Sequence, residues 1–541
     1  MKRWLIRLAG AFAFLAVILM IVAALAARRI DPYVREQAVK YLRDRFDGEV
    51  EVGSIHVSVP PMALIRLAFF AGQGALITAT GENVLLRHKG RRDIPPLFVL
   101  KHFKATIDLG TLFGDAKAVP EVVLDGMEIH IPPKGERDFK KNASAEAPTA
   151  LPQDGKKISV VIEHVTIRDA LLEILPRDRA KVPLRFDLHD IRLKSAGKDV
   201  AMTYDALLRN PKPPGEIQSK GTFGPWASGE PGDTPLGGDY VFENADLGVF
   251  KGIAGILRST GSFDGTLSAI NARGTATIPD FRLKQANNAV PLTAEFEVGV
   301  DGTNGNTELK PVHATLGSTK LSTKGIVVKH DGDLRRTIDL QASIPAGDLR
   351  DILRLAMKGT PTMIGTLRLD TKIVIPPLSG KVKEKLQLDG EFDITGGRFL
   401  RSQIQDRIDA FARRGKGQPK NMEIDEVIHR MSGDFDMADE VITFHNLAFE
   451  IPGAAVNLGG SVDLGSEALD LHGAMMLDAK VSQTMEGWKR WALKPLDPFF
   501  SKRGAGTFLH IKITGTTKAP QFGADPGGTS PMEEREKAAG Q

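Results

Sequence analysis

The sequence predicts a mainly β chain with a few helices, preceded by an N-terminal transmembrane helix. Three observations predict it. Residues 8–27 read LAGAFAFLAVILMIVAALAA, without one charge. Beyond about residue 48 the chain becomes a succession of short segments that alternate apolar and polar residues, punctuated by Gly, Asp, Asn and Pro. That is strand patterning. Only a handful of stretches keep helical spacing instead.

The apolar run comes first. At a rise of about 1.5 Å per residue it is about 30 Å long, enough to cross the hydrocarbon core of a bilayer. Leu8, Phe12, Leu15, Ile18, Leu19, Ile21 and Leu25 are its anchor residues. Lys2, Arg3 and Arg7 precede it, so the N-terminus is expected in the cytoplasm and the bulk outside. Arg28 and Arg29 weaken that bias, while Asp31 and the terminal amine keep it. The alternative is a cleaved signal peptide with Ala24-Leu25-Ala26 at its cleavage site, although such apolar regions are shorter, about 7–15 residues. Both readings export the remainder.

Composition narrows the class. A length of 541 residues allows several domains, and a hydrophobic content of 42% can build a sizeable apolar surface. The formal charge of +4 argues against a nucleic-acid partner, which normally demands a strong basic stripe. There is no cysteine. That excludes disulfides, thiolate zinc sites, iron–sulfur clusters and thiol catalysis. Aromatic residues make up only 6%, so the apolar content is aliphatic and suits a smooth surface better than a sugar-stacking cleft.

After the apolar run, residues 32–46 read as a short helix, with Val34, Ala38, Tyr41 and Leu42 on one face. Four later segments then share a slip of phase. Val50 and Val52 give way to Ile55, Val57 and Val59; Val122 and Leu124 to Ile129 and Ile131; Ile158, Val160 and Ile162 to Val165 and Ile167; Ile442 and Phe444 to Leu447, Phe449 and Ile451. A one-residue slip sends side chains to the opposite face unless a bulge absorbs it. The pattern fits strands that bend while keeping one apolar face, and equally an ordinary hairpin at each place. Other strands are plain. Leu386, Leu388, Phe392 and Ile394 alternate around Asp389-Gly390, and Leu509, Ile511 and Ile513 alternate near the end. Residues 455–458, 461–464 and 468–471 read as a meander with turns at Gly459-Gly460 and at Gly465-Ser466-Glu467.

Helices are expected over 246–258, 348–357, 401–414 and 481–492. The first two belong to a degenerate repeat of about one hundred residues. Asp246 and Asp348 open them, and Gly265-Thr266-Leu267 and Gly365-Thr366-Leu367 follow. Residues 134–157 and 210–235 read as linkers, and 523–541 as a disordered tail.

The search for chemistry returns little. No nucleophile elbow, Walker loop, HExxH or EF-hand loop is present. The twelve His are scattered without metal-ligand spacing. No catalytic residue, metal site or cofactor is expected. Two basic clusters, Arg87, Lys89, Arg91 and Arg92, and Arg413, Arg414, Lys416 and Lys420, read as solvated loops or as contacts for anionic head groups.

The opening Phe46-Asp47-Gly48-Glu49-Val50-Glu51-Val52-Gly53-Ser54-Ile55, with Val122-Val123-Leu124-Asp125-Gly126 further on, resembles the AsmA-like proteins of diderm bacteria. The C-terminal region, with Leu386 to Ile394, Phe449-Glu450-Ile451-Pro452-Gly453-Ala454 and Gly506 to Gly515, is similar to the AsmA-like C-terminal domain. The resemblance implies a single-pass inner-membrane anchor (1–30) and an N-terminal AsmA-like, chorein-like region (31–133). A linker (134–157), a middle β region (158–345), an AsmA-like C-terminal region (346–522) and the tail (523–541) follow. It implies an elongated, curved antiparallel sheet in the periplasm, a half-pipe or β-taco with an apolar concave face. That shape is related to TamB and to eukaryotic chorein-type bridge proteins. It also implies a part in moving phospholipid to the outer membrane or in outer-membrane assembly. Candidate groove residues are Val122, Leu124, Ile129, Ile131, Leu386, Leu388, Phe392, Ile394, Leu509, Ile511 and Ile513. The expected partners are membrane phospholipids; outer-membrane or periplasmic assembly proteins are the alternative.

With about 4.8 Å per added strand, the post-anchor chain would form a rod on the order of 150 Å. Alternation serves a closed sandwich core equally well, so periodicity alone leaves groove and core unresolved. A scaffold for nascent outer-membrane strands and a periplasmic hydrolase are the rival classes.

Overall fold

The computed structural model describes most residues between 48 and 526, together with Glu36 and Val39. Residues 1–35, 132–158, 527–541 and shorter stretches fall outside the described residues, and so do the anchor at 1–30, the linker at 134–157 and nearly all of the helix at 32–46. Among the described residues no helix is long and apolar enough to cross a membrane.

Among the described residues the protein is mainly β, with 66% in strands and three α-helices. Twenty-three strands belong to one mixed sheet that is not closed into a barrel. The chain divides into two compact units, residues 1–245 with 260–270, and residues 246–259 with 271–541.

The first unit holds β1 (Gly48–Ser58), β2 (Leu76–His88), β3 (Phe98–Asp108), β4 (Ala116–Ile131), β5 (Ser159–Ile174), β6 (Leu184–Gly197), β7 (Met202–Pro211), β8 (Pro214–Phe223) and β9 (Pro235–Asp246). Sequential neighbours pair antiparallel, except β4 and β5, which are parallel. The expectation of an antiparallel sheet is therefore corrected to a mixed one. Parallel pairing needs a crossover of a dozen or more residues, and residues 132–158 supply that length between them. The linker expected over 210–235 is corrected too. Its Pro and Gly residues flank a full strand, β8, paired on both sides.

The slips of phase in β1, β4 and the later strand Val441–Ile451 prove to be bends within single strands, not hairpins. In the first unit the ladder is interrupted at one height on six strands: Gly53, Asn83, Lys101, Gly126, Asp169 and His189. Asn83, Gly126 and Asp169 take φ of 54°, 66° and 50°, the left-handed region that Gly, Asn and Asp enter most readily. A Cβ on Gly126 would come within 2.7 Å of the Lys101 side chain. Because neighbouring strands slip together, apolar residues three apart stay on one face: Val52 and Ile55, Leu100 and Phe103, Leu124 and Met127, Leu188 and Ile191 all join one cluster. In β5 the bend falls at Asp169. The ladders also skip Glu163, where the sequence slips, and Ile162 and Val165 on either side of it join the same cluster.

The second unit opens with a one-turn 3-10 helix at Leu247–Val249, capped by Asp246, whose carboxylate accepts from Gly248 N at 2.7 Å. The helix expected over 246–258 ends there. Gly252 (φ 100°) and Gly255 (φ 137°) leave the helical region, and the chain continues as β10 (Ile253–Ala254), β11 (Ile256–Thr266), β12 (Ala269–Ile278) and β13 (Arg282–Leu283), of which residues 260–270 belong to the first unit. Next come β14 (Leu292–Val300), β15 (Thr307–Leu316), β16 (Thr319–Val328), β17 (Thr337–Asp348), α1 (Leu349–Ala356), β18 (Met363–Ile375), α2 (Val382–Lys385), β19 (Gln387–Phe399) and α3 (Ser402–Gly415). A meander closes the chain: β20 (His429–Ala438), β21 (Val441–Ile451), β22 (Ala454–Asp463), β23 (Ala468–Leu477), β24 (Thr507–Thr516) and β25 (Pro520–Ala524). From β14 to β25 every sequential pair is antiparallel.

α1 and α3 match the expected helices at 348–357 and 401–414. Asp348 caps α1 by accepting from Arg350 N at 2.9 Å. Of the helix expected over 481–492, Val481–Thr484 is a 3-10 turn and 486–493 lie outside the described residues. The supposed turn at Gly459-Gly460 is corrected: β22 runs straight through it. Gly460 adopts φ 129°, and a Cβ there would lie 2.1 Å from the Asp470 carbonyl oxygen. Glycine here admits a close neighbour rather than a reversal. Gly523 and Ala524, assigned to the tail, belong to β25.

Candidate functional site

Register lays out the apolar face of the second unit row by row. One row runs Val298, Leu309, Gly325, Leu340, Ile373, Leu388, Met437, Ile442, Val462, Leu469 and Gly515, one residue from each of β14 to β24. The next runs Val312, Thr323, Ala342, Thr371, Gly390, Phe435, Phe444, Gly460, Leu471 and Ile513. The third runs Ile344, Leu369, Phe392, Gly433, Leu447, Leu458, Gly473 and Ile511. The fourth runs Leu367, Ile394, Met431, Phe449, Val456, Met475 and Leu509. None of these positions carries a charge. Bulges, as at Phe444/Leu447 in β21, keep the rows in phase where the sequence slips.

Six of the candidate groove residues fall into these four rows: Leu388, Phe392, Ile394, Leu509, Ile511 and Ile513. Leu386 precedes β19 as the residue capping the end of α2. Phe392, Phe435 and Phe444 form a ring cluster with centroids 6.2–6.5 Å apart.

Burial differs along the strands. α1 lays Leu349, Ile352 and Leu353 against Ile344, Met363, Leu367 and Ile394. α3 lays Ile408, Phe411 and Ala412 against Ile451, Ala454, Leu477 and Phe449. Ile394, only 6% exposed, is therefore core. Leu388, Leu340, Ile373, Ile442, Val462 and Leu469, in the row farthest from these helices, are half-buried, with Met437 the buried exception.

In the first unit Val122, Leu124 and Ile129 are half-buried and pack on one cluster with Val52, Val84, Leu100, Met127, Val165 and Ile167. The side chain of Ile131 lies outside the described residues, as do Leu8, Phe12, Leu15, Ile18, Leu19, Ile21 and Leu25.

The opposite face is polar. Across β18 to β20 it sets acid against acid: Asp370 opposite Glu391, Glu391 opposite Asp434, and Asp389 opposite Asp436. Such pairs are unfavourable. Arg368 near Asp370 (3.5 Å) and Lys372 opposite Asp389 offset them in part, and His445 lies 2.7 Å from Asp436. A shallow basin of about 800 Å³ lies here, lined by Lys324, Gln341, Asp370, Lys372, Asp389, Glu391 and Asp434. Among the described residues no group of His, Asp or Glu could hold a metal ion. Of the first basic cluster, Arg87 lies within β2 and pairs with Glu51, and Arg92 pairs with Glu49; Lys89 and Arg91 lie outside the described residues.

Two histidines stand out from the twelve. His429, 2% exposed, is stacked between Phe399 and Phe449, each 5.1 Å away. Its Nε2 lies 3.2 Å from Met363 Sδ, and its buried Nδ1 has no partner. Burial lowers its pKa from the usual His value. His472 bridges Asp525 (2.8 Å) and Asp470 (3.0 Å), and the hydrogen bonds to these carboxylates raise its pKa.

Sequence reasoning missed one polar feature of the first unit. Tyr204 (β7), Ser219 (β8) and Tyr240 (β9) interrupt an apolar face, and the signal that could have found them is the glycine run Gly221, Gly237 and Gly238 in the facing strands. No family model, curated protein or solved structure matches this chain.

Proposed function

We propose that this protein is a non-enzymatic lipid-binding or lipid-transfer protein of the bacterial envelope, which shelters phospholipid acyl chains on its apolar sheet faces. In this reading the apolar N-terminal segment anchors it in the inner membrane, and the bulk stands in the periplasm as a curved half-pipe. The apolar faces form its concave side. Lipid tails travel along them toward the outer membrane, and head groups keep to water or to polar points beside the tails. No reaction and no cofactor are involved.

The observation that carries the reading is the charge-free row from Val298 to Leu469, half-buried at nearly every position. Each methylene removed from water is worth about 0.8 kcal/mol, so a lipid tail entering water unaided costs roughly 10 kcal/mol or more. A continuous apolar row lowers that cost at each step along the sheet. Continuity is the requirement, and one charge should break it.

Leu388→Asp places a carboxylate in the middle of that row, away from the helix-covered core. Native mass spectrometry of the full chain extracted in mild detergent should show phospholipid bound to the natural protein. The Leu388→Asp chain should retain at most about a tenth of it, with unchanged circular dichroism. Equal lipid retention by both folded chains would refute the proposal.

The alternative, an assembly factor for outer-membrane proteins, has one observation in its favour. β25 pairs with β24 alone among the described strands, and Phe522 on it is 75% exposed. Such an edge can accept a strand from another chain. Co-purification of outer-membrane proteins without lipid would favour it.

A further inference from the structure

The hydroxyl island on β7 to β9 has an unused hydrogen-bonding position, and its chemistry names a ligand. Tyr204 faces Gly221, which faces Gly238; Ala206 faces Ser219, which faces Tyr240. On either side the face is apolar again, with Leu208, Ile217 and Phe242 in one row and Met202, Phe223 and Leu236 in the other. The island is thus enclosed by hydrocarbon.

Glycine makes room for the phenol. A Cβ on Gly238 would come within 2.8 Å of the Tyr204 hydroxyl, and one on Gly221 within 2.0 Å of the Gly237 carbonyl oxygen. The ring therefore lies along the sheet.

The direction of the hydrogen bonds is fixed. Ser219 Oγ donates its only proton to the Asp239 carbonyl at 3.0 Å. The bond of 3.0 Å between Tyr204 Oη and Ser219 Oγ must then be donated by Tyr204. Its phenol oxygen keeps its acceptor capacity, and no donor among the described residues fills it. Burial raises the Tyr204 pKa above its usual value, so the group stays a neutral phenol.

Resting on the proposed lipid reading, we infer that Tyr204 is a selectivity point that accepts a hydrogen bond from the head group of a bound phospholipid. The ligand class is a phospholipid whose head group carries an N–H or O–H donor. The ammonium of an ethanolamine head group qualifies, and so does the hydroxyl of a glycerol head group. A choline head group, which has no such donor, does not.

The test compares short-chain phosphatidylethanolamine and phosphatidylcholine of equal acyl length as monomeric probes, titrated onto the full chain in mild detergent. The natural protein should bind the ethanolamine lipid roughly three- to tenfold more tightly, the range of one net hydrogen bond. Tyr204→Phe keeps the ring over the glycines and should bring that ratio to about one, with phosphatidylcholine affinity unchanged. Ser219→Ala frees the phenol proton and should shrink the ratio without abolishing binding. Equal binding of both lipids by the natural protein, or a ratio unmoved by Tyr204→Phe, would overturn the inference while leaving the lipid reading intact. Failure of the natural protein to bind either lipid would overturn both.

Discussion

The two ends of the apolar face in the second unit share one pattern and meet different fates. Where α1 and α3 lie against it, Ile344, Met363, Leu367 and Ile394 are 5–8% exposed. Farther along the same strands, Leu340, Ile373, Leu388 and Ile442 remain half-buried. The alternation of β18 and β19 does not change between the two ends. What changes is a helix above it. Period-two patterning thus specifies a face, and the cover decides whether that face becomes a core.

The contrast can be broken by truncation. Leu367→Ala, beneath α1, should destabilise the second unit by about 2–5 kcal/mol, because the packed site cannot collapse around the lost atoms. Leu388→Ala should cost about half as much or less, since its side chain leaves less contact behind. Urea unfolding of both chains checks the difference. Equal losses would mean that the two ends are packed alike.

Removing the cover is the second route. Asp348→Ala loses the cap of α1 and the Arg350 side-chain pairing that lowers the Asp348 pKa. A cost of about 1 kcal/mol is expected. Faster amide exchange in α1 should accompany it, with exchange in β21 to β23 unchanged.

Proton linkage sharpens the same comparison, because His429 sits in the covered end and His472 outside it. His429 has a lowered pKa, so the folded state resists its protonation. Its contribution is present above the ordinary His range, near pH 6.5, and is lost as pH falls below that value. His472 has a raised pKa. Its contribution is present below about pH 6.5 and fades as pH rises through its higher folded-state value. His429→Leu should therefore flatten the acid side of the stability profile, and His472→Ala the neutral-to-alkaline side. The His472 effect is the smaller, because its ring is exposed and its ion pairs are screened.

Much of this architecture is legible in the sequence, because strand periodicity and helix caps are local. Leu388, Phe392, Ile394, Leu509, Ile511 and Ile513 share a face as their alternation requires, and Asp348 marks the start of α1. Most of what failed depends on partners distant in sequence. Gly459-Gly460 looks like a turn until Asp470 on the next strand requires the space. The parallel pairing of β4 with β5 leaves no mark on either strand. The helix expected over 246–258 ignored the two glycines that end it. The cover over Ile394 was also invisible, since nothing in β19 records that α1 lies above it. Tyr204 and Ser219 looked like ordinary strand residues until register placed them together.

The most direct test of the central claim uses the alternation of β21. A photo-crosslinking amino acid would be placed in turn at Ile442, Thr443 and Phe444 in the full chain, within cells, and the lipid adducts counted by mass spectrometry. Ile442 and Phe444 belong to apolar rows, and Thr443 pairs with Asp436 and Ser461 on the opposite face. Phospholipid adducts are expected from positions 442 and 444 and almost none from 443. Adducts from none of the three, or equally from all of them, would contradict that claim.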